Sequence, residues 1–453
     1  MPLRIFVFII LAGSFGALLL GGCTTPGKSG KTSSTTNTTA TVQKRGEEID
    51  YSPEAVERRT EAHARYATGV LLDWQEEPEQ AADEFYKAAL ADPNNVDLVL
   101  EVSQRLMQLK QYEKAAEVLN KATSASKVSG LVYAQLGRVY ALMGKKEMAI
   151  DADKIAIKRN PGNLMGYRNL AQMYVQNRQV EEGLKVLDQA SKQINVDETF
   201  LIELAELYTG FLRLGTNEAV RKNAIDTVDR ATAAEPKNPL LLQRIADVYA
   251  ITGQTDKATD YYLKVLEKIP SMPGLREKLV EMYLKKEDRK HAAEQLETII
   301  RNNPTNPQYY YLLGSIAYEE KDLKKATEYF SKTILLNPDF EQVYYDLAGA
   351  QINMNKAKEA LATLQKARDK FKETFVQEFF EALAYTHLKD FTNAINHFTA
   401  AEVIARATET NKLNHIFYYQ LGAAYERSHK MEEAEKYLRK SLKMSPDFTE
   451  ALN

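Results

Sequence analysis

The sequence contains almost no cysteine, since Cys23 is the only one among 453 residues. A single thiol forms no internal disulfide and no cysteine-rich metal cluster, so a disulfide framework and a cysteine metal site are both excluded. Charge of one sign is also scarce, because 59 lysines and arginines nearly offset 62 acidic residues, for a net charge of -3. This balance gives no general attraction to nucleic acid or acidic membranes, and we expect no nucleic-acid partner.

Groupings of residues that carry catalysis or bind metals are missing as well. The six histidines show no spacing typical of a metal site; they are His63, His291, His387, His397, His415 and His429. There is neither a phosphate-binding glycine loop nor a nucleophile elbow, and acidic pairs such as Glu432 and Glu433 fit the solvated faces of helices. We therefore expect no metal, no cofactor and no enzymatic activity.

The one long apolar run covers residues 5–20 and follows a single positive charge at Arg4. A helix of 16 residues spans about 24 Å, short of the roughly 30 Å of a bilayer core. A signal peptide over residues 1–22 is therefore favoured over a permanent membrane span.

Residues Leu20, Gly21, Gly22 and Cys23 resemble the lipobox of bacterial lipoproteins. The resemblance implies that Cys23 is lipidated and anchors the protein stably in a membrane. Thr24 is not the aspartate that retains some lipoproteins in the inner membrane, so the resemblance implies the outer membrane, facing the periplasm. Residues 23–50 are rich in threonine, serine, glycine and lysine, which predicts a flexible tether.

The rest of the sequence repeats with a period of 34 residues. Small residues mark this period at Ala81, Ala115, Ala149, Gly183, Ala224, Ala258, Ala292, Ala326, Ala360, Ala394 and Ala434. Prolines follow it at Pro236, Pro270, Pro304 and Pro338. Two irregular steps, of 41 and 40 residues, predict insertions at residues 210–222 and 406–414, which we interpret as surface loops.

Residues around these positions resemble the tetratricopeptide repeat family, which has Leu-Gly and Tyr in a first helix, Ala and Phe in a second, and Pro after it. The third repeat carries the pattern in Tyr133, Leu136, Gly137, Tyr140, Ala149, Ala156 and Pro161. The resemblance implies an all-α, right-handed α-solenoid of about eleven helix-turn-helix repeats over residues 51–448, followed by a tail at 449–453. The predicted repeats start near Ala62, Val96, Gly130, Leu164, Glu198, Pro239, Pro273, Pro307, Glu341, Phe375 and His415.

The repeat residues have physical roles. Small residues such as Gly137 and Ala149 allow two antiparallel helices to approach closely, and Pro338 ends a second helix because it has no amide hydrogen to donate. Stacked hairpins bury a core that no hairpin buries alone. Ser52, Pro53 and Glu54 form a helix-start signal, so a helix is predicted to begin there and continue into the first repeat.

In this family, first-helix positions outside the core pattern line a concave groove that binds proteins or peptides. The fifth residue of each repeat is one such position, and it is aromatic in the last four repeats. We call Tyr311, Tyr345, Phe379 and Tyr419, with Tyr318 nearby, the aromatic ladder, and we interpret it as partner-binding and additional to packing. The alternative is that these rings pack against each other or against a neighbouring helix.

A second candidate site comprises Arg138, Arg168, Asn169 and Gln172, which first-helix spacing could bring onto one inner wall to bind an anion or carboxylate. It resembles only loosely the carboxylate clamp of chaperone-binding members of the family, because the lysine and asparagine set of that clamp is not reproduced.

The resemblance implies a protein-protein interaction scaffold or adaptor in cell-envelope assembly or secretion, of the pilus, secretin or barrel-biogenesis type. Its partners would be proteins or peptides in the groove and the membrane through the lipid. The alternatives are a carrier of a small ligand, which a large closed apolar pocket would favour, and a regulatory subunit of an envelope enzyme.

Overall fold

The computed structural model describes residues 51–448, except residues 125–127, 216 and 409 and the side chain of residue 410. This part of the chain forms 22 α-helices and one 3-10 helix (Thr410–Lys412), and it contains no strand. The α-helices are α1 (Pro53–Trp74), α2 (Pro78–Ala91), α3 (Val96–Gln108), α4 (Tyr112–Thr123), α5 (Gly130–Leu142), α6 (Lys146–Arg159), α7 (Leu164–Gln176), α8 (Val180–Ser191), α9 (Glu198–Leu212), α10 (Glu218–Thr232), α11 (Pro239–Ile251), α12 (Thr255–Lys268), α13 (Leu275–Lys285), α14 (Arg289–Asn302), α15 (Pro307–Glu319), α16 (Leu323–Leu336), α17 (Glu341–Asn353), α18 (Ala357–Arg368), α19 (Phe375–His387), α20 (Phe391–Thr408), α21 (His415–Arg427) and α22 (Met431–Met444). The predicted all-α helical repeat architecture is confirmed.

The helices pair in chain order into eleven hairpins, numbered here from the amino terminus, so that α1 and α2 form hairpin 1 and α21 and α22 form hairpin 11. Nine first helices begin at the predicted residue. The seventh begins at Leu275 instead of Pro273, because Gly274 precedes it in a left-handed conformation with φ of 72°. The first begins at Pro53, as the helix-start signal predicted, and continues through Ala62.

The chain divides into two compact units, residues 1–57 and residues 58–453. Of the first unit the structure describes residues 51–57, in which α1 begins. The predicted signal peptide (1–22), lipidated Cys23, tether (23–50) and tail (449–453) lie outside the described residues. Among the helices that the structure describes, none is long and apolar enough to cross a membrane.

Polar side chains start most first helices. The side chain of Asn306 accepts a hydrogen bond from the amide of Gln308 at 2.9 Å, and that of Asp197 accepts one from the amide of Phe200 at 2.8 Å. These bonds satisfy amides that have no partner within the helix. Pro307 occupies the first helical position, where its missing amide hydrogen costs nothing.

A residue with positive φ ends the first helix in ten hairpins of the described chain. These residues are Glu76, Lys110, Gly144, Arg178, Gly253, Glu287, Lys321, Asn355, Lys389 and His429. At each of them the next amide bonds back across the helix end, as when the amide of Asp322 donates to the carbonyl of Ala317 at 2.9 Å. This is the Schellman arrangement, and it turns the chain sharply into the second helix.

The series of small residues lies where the two helices of a hairpin cross. Ala81, Ala149, Ala258 and Ala326 are fully buried. Each second helix also packs against the first helix of the next hairpin, as α6 does on α7 and α16 does on α17. One cluster of buried apolar residues therefore extends without a break from Ile157 in α6 to Ile316 in α15.

The two insertions are mostly helical, so their interpretation as surface loops is wrong. At residues 406–414, α20 continues to Thr408 and the 3-10 helix follows it. At residues 210–222, α9 continues to Leu212 and α10 begins at Glu218, which leaves a short link between them. Both segments carry good helix formers, and extending an existing helix requires no new nucleation.

Candidate protein-binding surface

The aromatic ladder lies on the first helices of the last four hairpins, and its side chains differ in exposure. Tyr345 in α17 is only 3% exposed, so it belongs to the core of its hairpin. Tyr311, Tyr318, Phe379 and Tyr419 are half-buried. The interpretation of the ladder as additional to packing is therefore wrong for Tyr345, because this ring fills space between helices.

Tyr311 joins two hairpins. Its ring lies 4.8 Å from the ring of Phe340 and 6.0 Å from that of Phe330, measured between centroids. Its hydroxyl donates a hydrogen bond of 3.0 Å to Oδ2 of Asp346 in the next hairpin. Burial raises the pKa of Asp346 to about 6, although the hydrogen bonds from Gln342 and Tyr311 oppose this rise.

The other ladder residues also contact neighbours within the chain. Tyr345 stacks on Phe380 with centroids 6.5 Å apart, and its hydroxyl donates to Oε1 of Glu341 at 2.8 Å. The hydroxyl of Tyr318 accepts a hydrogen bond from Asn353, and the rings of Phe379 and Tyr419 lie against Phe417 and Phe448 respectively. These contacts match the alternative of packing, and a partner-binding role for the ladder stays a prediction.

The fifth residue of several first helices bonds an acidic residue 35 positions later, at the sixth residue of the next first helix. Three pairs show this arrangement: Tyr66 with Glu101, Arg168 with Glu203, and Tyr311 with Asp346. Consecutive first helices lie in contact, as α3 does with α5 and α7 with α9, which places these two positions side by side. An acidic residue 35 positions downstream is a sequence signal that would have identified this link.

The second candidate site is partly occupied by the chain itself. Arg168 forms an ion pair with Glu203 of the next first helix. Asn169 donates to the carbonyl of Ala134 at 2.8 Å and to Oδ1 of Asp153 at 3.1 Å. Both side chains therefore hold hairpins 3 to 5 together.

Arg138 and Gln172, the other two residues of that candidate site, are exposed at the ninth position of α5 and α7. Leu142, one turn after Arg138, is 50% exposed, although leucine is more often buried. Within the described residues, Arg138 has neither a hydrogen bond nor an ion pair. We call Arg138, Leu142 and Gln172 the α5–α7 surface; its free cation beside apolar area suits contact with a protein.

Next to this surface, an ion-pair network joins three first helices. Arg244 of α11 donates two hydrogen bonds of 2.7 Å to the carboxylate of Glu206 in α9 and lies 3.9 Å from Glu203, which in turn pairs with Arg168 of α7. The hydrogen bond from Glu206 raises the pKa of Arg244 further above its ordinary value. The sequence analysis missed this network.

A second ionic cluster lies deeper, between α18, α19 and α20. Nη2 of Arg368 lies 2.7 Å from Oε2 of Glu381 and also pairs with Glu378, and Nδ1 of His397 lies 2.7 Å from Oε2 of Glu378. Both glutamates are buried. Burial alone raises the pKa of Glu378, but hydrogen bonds, that from His397 foremost, lower it to about 2.

Glu378, Glu381 and His397 are residue types that bind metal ions, and their ligand atoms lie within 4.8 Å of one another. Sequence spacing gave no sign of this grouping, because His397 lies on a different helix from the two glutamates. Arg368 and His397 already bond both carboxylates, however, and a guanidinium with an imidazolium balances their two negative charges. The grouping is therefore explained by ion pairs, without a metal.

Comparisons with known proteins agree with the repeat. Family models described as tetratricopeptide repeats match residues 241–270, 278–339, 317–374 and 416–448. A TPR repeat-containing protein of Methanocaldococcus jannaschii is 26% identical over 205 residues, which cover 36% of this chain and 35% of the relative. The chain thus spans about a third of the length of this curated relative.

Solved structures that resemble this chain include two helical-repeat proteins. The C-terminal part of a TPR repeat-containing protein from Cytophaga hutchinsonii is 16% identical with a TM-score of 0.43, covering 55% of this chain and 98% of that one. Yeast Tom70 is 14% identical with a TM-score of 0.32, covering 86% and 93%. The family models and the curated relative support the tetratricopeptide repeat family for this chain, with the model matches falling in hairpins 6 to 9 and in hairpin 11.

Proposed function

We propose that this chain is a lipid-anchored scaffold or adaptor that binds other proteins at the outer membrane, facing the periplasm. It serves cell-envelope assembly or secretion, of the kind that builds pili, secretins or outer-membrane barrels. Tetratricopeptide repeat proteins are protein-interaction scaffolds, and arrays of such hairpins present extended surfaces to their partners.

The observation that carries this proposal is that the described residues from 53 to 444 form hairpins that pack on one another. Their small-residue positions and first-helix aromatics are used in that packing, so the array offers its surface for function. The α5–α7 surface supports protein binding, because arginine is enriched among the residues that dominate interface energies. Partner contact at Arg138 and Gln172 is the part of this proposal that mutation tests most directly.

Anchoring by lipid rests on the amino-terminal sequence. A single cysteine in the chain follows an apolar run and two glycines, which is the arrangement in which lipoproteins carry their lipid. To test this, the full chain and a Cys23→Ser variant would be expressed in a Gram-negative host, and their membranes separated by density. We expect native protein in the outer-membrane fraction with an acylated first peptide by mass spectrometry. Equal membrane retention of Cys23→Ser contradicts the anchor.

Partner binding would be tested by crosslinking and affinity capture of the full-length lipoprotein from membranes. We expect a pilus, secretin or barrel-assembly component to be recovered with native protein and lost with the double variant Arg138→Ala and Gln172→Ala. Arg439→Ala, which changes an exposed arginine on the second helix α22, is the matched control. If native protein and the double variant recover the same components, the α5–α7 surface is not the binding site; if no envelope protein is enriched, the scaffold proposal fails.

A further inference from the structure

A tyrosine near the end of the first helix bonds the preceding hairpin at three places in the array. In each case the acceptor is a side chain 20 residues earlier, on the second helix of that hairpin. The pairs are Tyr140 with Asn120 at 3.1 Å, Tyr208 with Asp188 at 2.8 Å, and Tyr249 with Asp229 at 2.5 Å. We call this hydrogen bond the tyrosine clasp.

The tyrosine clasp is interrupted in hairpin 4. Tyr174 holds the tyrosine position in α7, but the residue 20 positions earlier is Lys154 in α6. An ammonium group only donates hydrogen bonds, so it cannot accept one from the tyrosine hydroxyl. Among the described residues, neither Tyr174 nor Lys154 has a hydrogen-bond or ion-pair partner.

A comparable interruption at Tyr283 has a different character. The residue 20 positions earlier is Leu263, and the ring of Tyr283 stacks on His291 with centroids 5.3 Å apart. That interruption places no unpaired cation beside the tyrosine. The interruption at Lys154 therefore combines two unsatisfied donors.

Tyr174 and Lys154 both line a cleft of about 540 Å³ between the second helices α6 and α8, with α7 as its floor. Ile157, Leu170 and Val186 form its apolar wall. This volume lies within the range of about 300 to 1,000 Å³ that is typical of ligand pockets.

The rim of the cleft is basic. Lys158 follows Lys154 by one turn of α6 and likewise has no ion-pair partner within the described chain. Across the cleft, Lys185 of α8 pairs with Glu182 at 2.7 Å, so these two charges offset each other. The positive charge of the two α6 lysines is therefore left to attract an anion.

A third unsatisfied donor belongs to the floor. Tyr167 lines the cleft and is fully buried, and its hydroxyl oxygen has no hydrogen-bond partner in the part of the chain that the structure describes. Burial raises the pKa of this hydroxyl, so it stays protonated and able to donate. Leaving a buried donor unpaired costs about 1 to 3 kcal/mol, which a ligand acceptor would recover.

We propose that this cleft binds the carboxyl terminus of a peptide whose last residues are apolar. A carboxylate accepts hydrogen bonds from the Tyr174 hydroxyl and the Lys154 ammonium, and apolar side chains contact Ile157, Leu170 and Val186. Phosphate fits less well, because the site offers no arginine and Glu182 repels a second negative charge.

Two amide side chains favour a peptide over a fatty acid. Gln189 and Gln193 line the same cleft, and amide groups can donate to and accept from a peptide backbone, whereas a hydrocarbon chain leaves them unpaired. The cleft lies between second helices, away from the α5–α7 surface on the first helices. The site therefore stands independently of the proposed scaffold function and adds a second binding chemistry to the chain.

The test compares two forms of one peptide, acetyl-Leu-Val-Leu with a free carboxylate and the same peptide with a carboxyl-terminal amide, titrated into the full chain by calorimetry. We expect saturable binding of the acid and roughly tenfold or weaker binding of the amide, because hydrogen bonds to charged groups are the stronger ones. Lys154→Asp should reduce affinity for the acid at least as much while preserving the fold, since it supplies the missing acceptor for the tyrosine clasp. Lys114→Ala, a lysine that pairs with Asp83 elsewhere on the second helices, should leave binding unchanged.

Lys158→Ala provides a second variant, because this exposed lysine has no packing role that its loss could disturb; it should weaken binding of the acid while thermal unfolding stays unchanged. Equal affinity for acid and amide, no binding at millimolar peptide, or native affinity in both Lys154→Asp and Lys158→Ala would overturn the proposal. Dodecanoate serves as the competing ligand, and saturable binding of dodecanoate without binding of the peptide acid would overturn the assignment to a peptide.

Discussion

The carboxyl group of Asp153 fills the space beside Gly137 that a phenylalanine ring fills beside the corresponding glycine in hairpins 1 and 8. In those hairpins Gly69 faces Phe85 and Gly314 faces Phe330. Asp153 is 1% exposed, and its hydrogen-bond donor among the described side chains is Asn169. Burial raises the pKa of Asp153 to about 8, an effect that the Asn169 hydrogen bond only partly opposes.

Replacing this carboxyl with an apolar side chain should stabilise hairpins 3 and 4. The folded chain keeps a proton on Asp153 up to about pH 8, whereas an unfolded aspartate loses it near pH 4. Native stability therefore decreases as pH rises from about 4 to 8, since the folded form binds the extra proton. We expect Asp153→Leu to gain on the order of 2 kcal/mol at pH 7 and less at pH 4, measured by hydrogen exchange in α5 to α7.

Asp153→Asn is the matched control, because it keeps the shape of the side chain and removes its titration. It should abolish the pH dependence between 4 and 8 without the gain that comes from leucine packing. Stability of Asp153→Leu at or below the native level at pH 8 would show that the carboxyl is better accommodated than its burial implies.

Removing the hydroxyl of Tyr311 should loosen hairpin 8 from hairpin 9 and leave the ring packing intact. Tyr311→Phe deletes the donor to Asp346 and should cost about 1 to 2 kcal/mol at pH 7.5. The cost should shrink at pH 5, because the pKa of Asp346 is raised to about 6 and a neutral carboxyl accepts more weakly. Urea unfolding at the two pH values, with hydrogen exchange in α15 and α17, measures both effects.

Tyr419→Phe is the comparison for that experiment, since Tyr419 has a half-buried ring at the same position of hairpin 11 and makes no hydrogen bond through its hydroxyl within the described residues. It should change stability by less than about 0.5 kcal/mol. A cost for Tyr311→Phe that is equally small, or the same at both pH values, argues against the link to Asp346.

The hairpins were predictable from the sequence because their determinants are local and repeat. A small residue at Ala326 and a proline at Pro338 act on their own helix and turn, so a period of 34 residues locates them without knowledge of the contacts. The nine correct first-helix starts follow from this. Insertions broke the period, and their helical form depended on propensity rather than on spacing.

The side-chain contacts between hairpins were not predictable in the same way. Tyr311 was interpreted as a partner-binding residue because its position lies outside the core pattern, yet its acceptor is Asp346 in the next hairpin. Likewise His397 and Glu378 lie 19 residues apart on different helices. Such pairs depend on the register between neighbouring helices, which a single repeat does not reveal.

The buried cluster around His397 should give the chain a pH-dependent stability. The hydrogen bond with Glu378 raises the pKa of His397 above its usual value, with Glu381 adding to this while burial and Arg368 oppose it. The ring also stacks on Tyr385. Because the folded pKa is the higher one, this stabilisation is fully present below about pH 6.5 and is lost as pH rises through the folded pKa.

His397→Gln should therefore destabilise hairpin 10 by roughly 1 kcal/mol at pH 6 and by clearly less at pH 9. Thermal unfolding and hydrogen exchange in α19 and α20 over this pH range would measure the difference. His387→Gln, which changes a histidine at the end of α19 outside the ion-pair cluster, is the matched control and should show no such trend. A loss that is the same at pH 6 and pH 9 would falsify the assignment of the charge to His397.

The turns inside the hairpins carry strain that glycine should relieve. Lys321 ends α15 with φ of 65°, a conformation that Gly144 and Gly253 adopt at the same point of hairpins 3 and 6. The Lys321 side chain is exposed and makes no hydrogen bond or ion pair with the described residues, so its removal loses no contact. Lys321→Gly should stabilise hairpin 8 by about 0.5 to 1 kcal/mol, because glycine has no Cβ to clash at positive φ. Lys321→Val, with a β-branched side chain in the same place, should lose about 1 kcal/mol or more. Urea unfolding of the three chains orders them as glycine, lysine and valine if the left-handed turn sets the stability; a glycine variant less stable than the native chain would mean that the entropy of the unfolded glycine outweighs the relief.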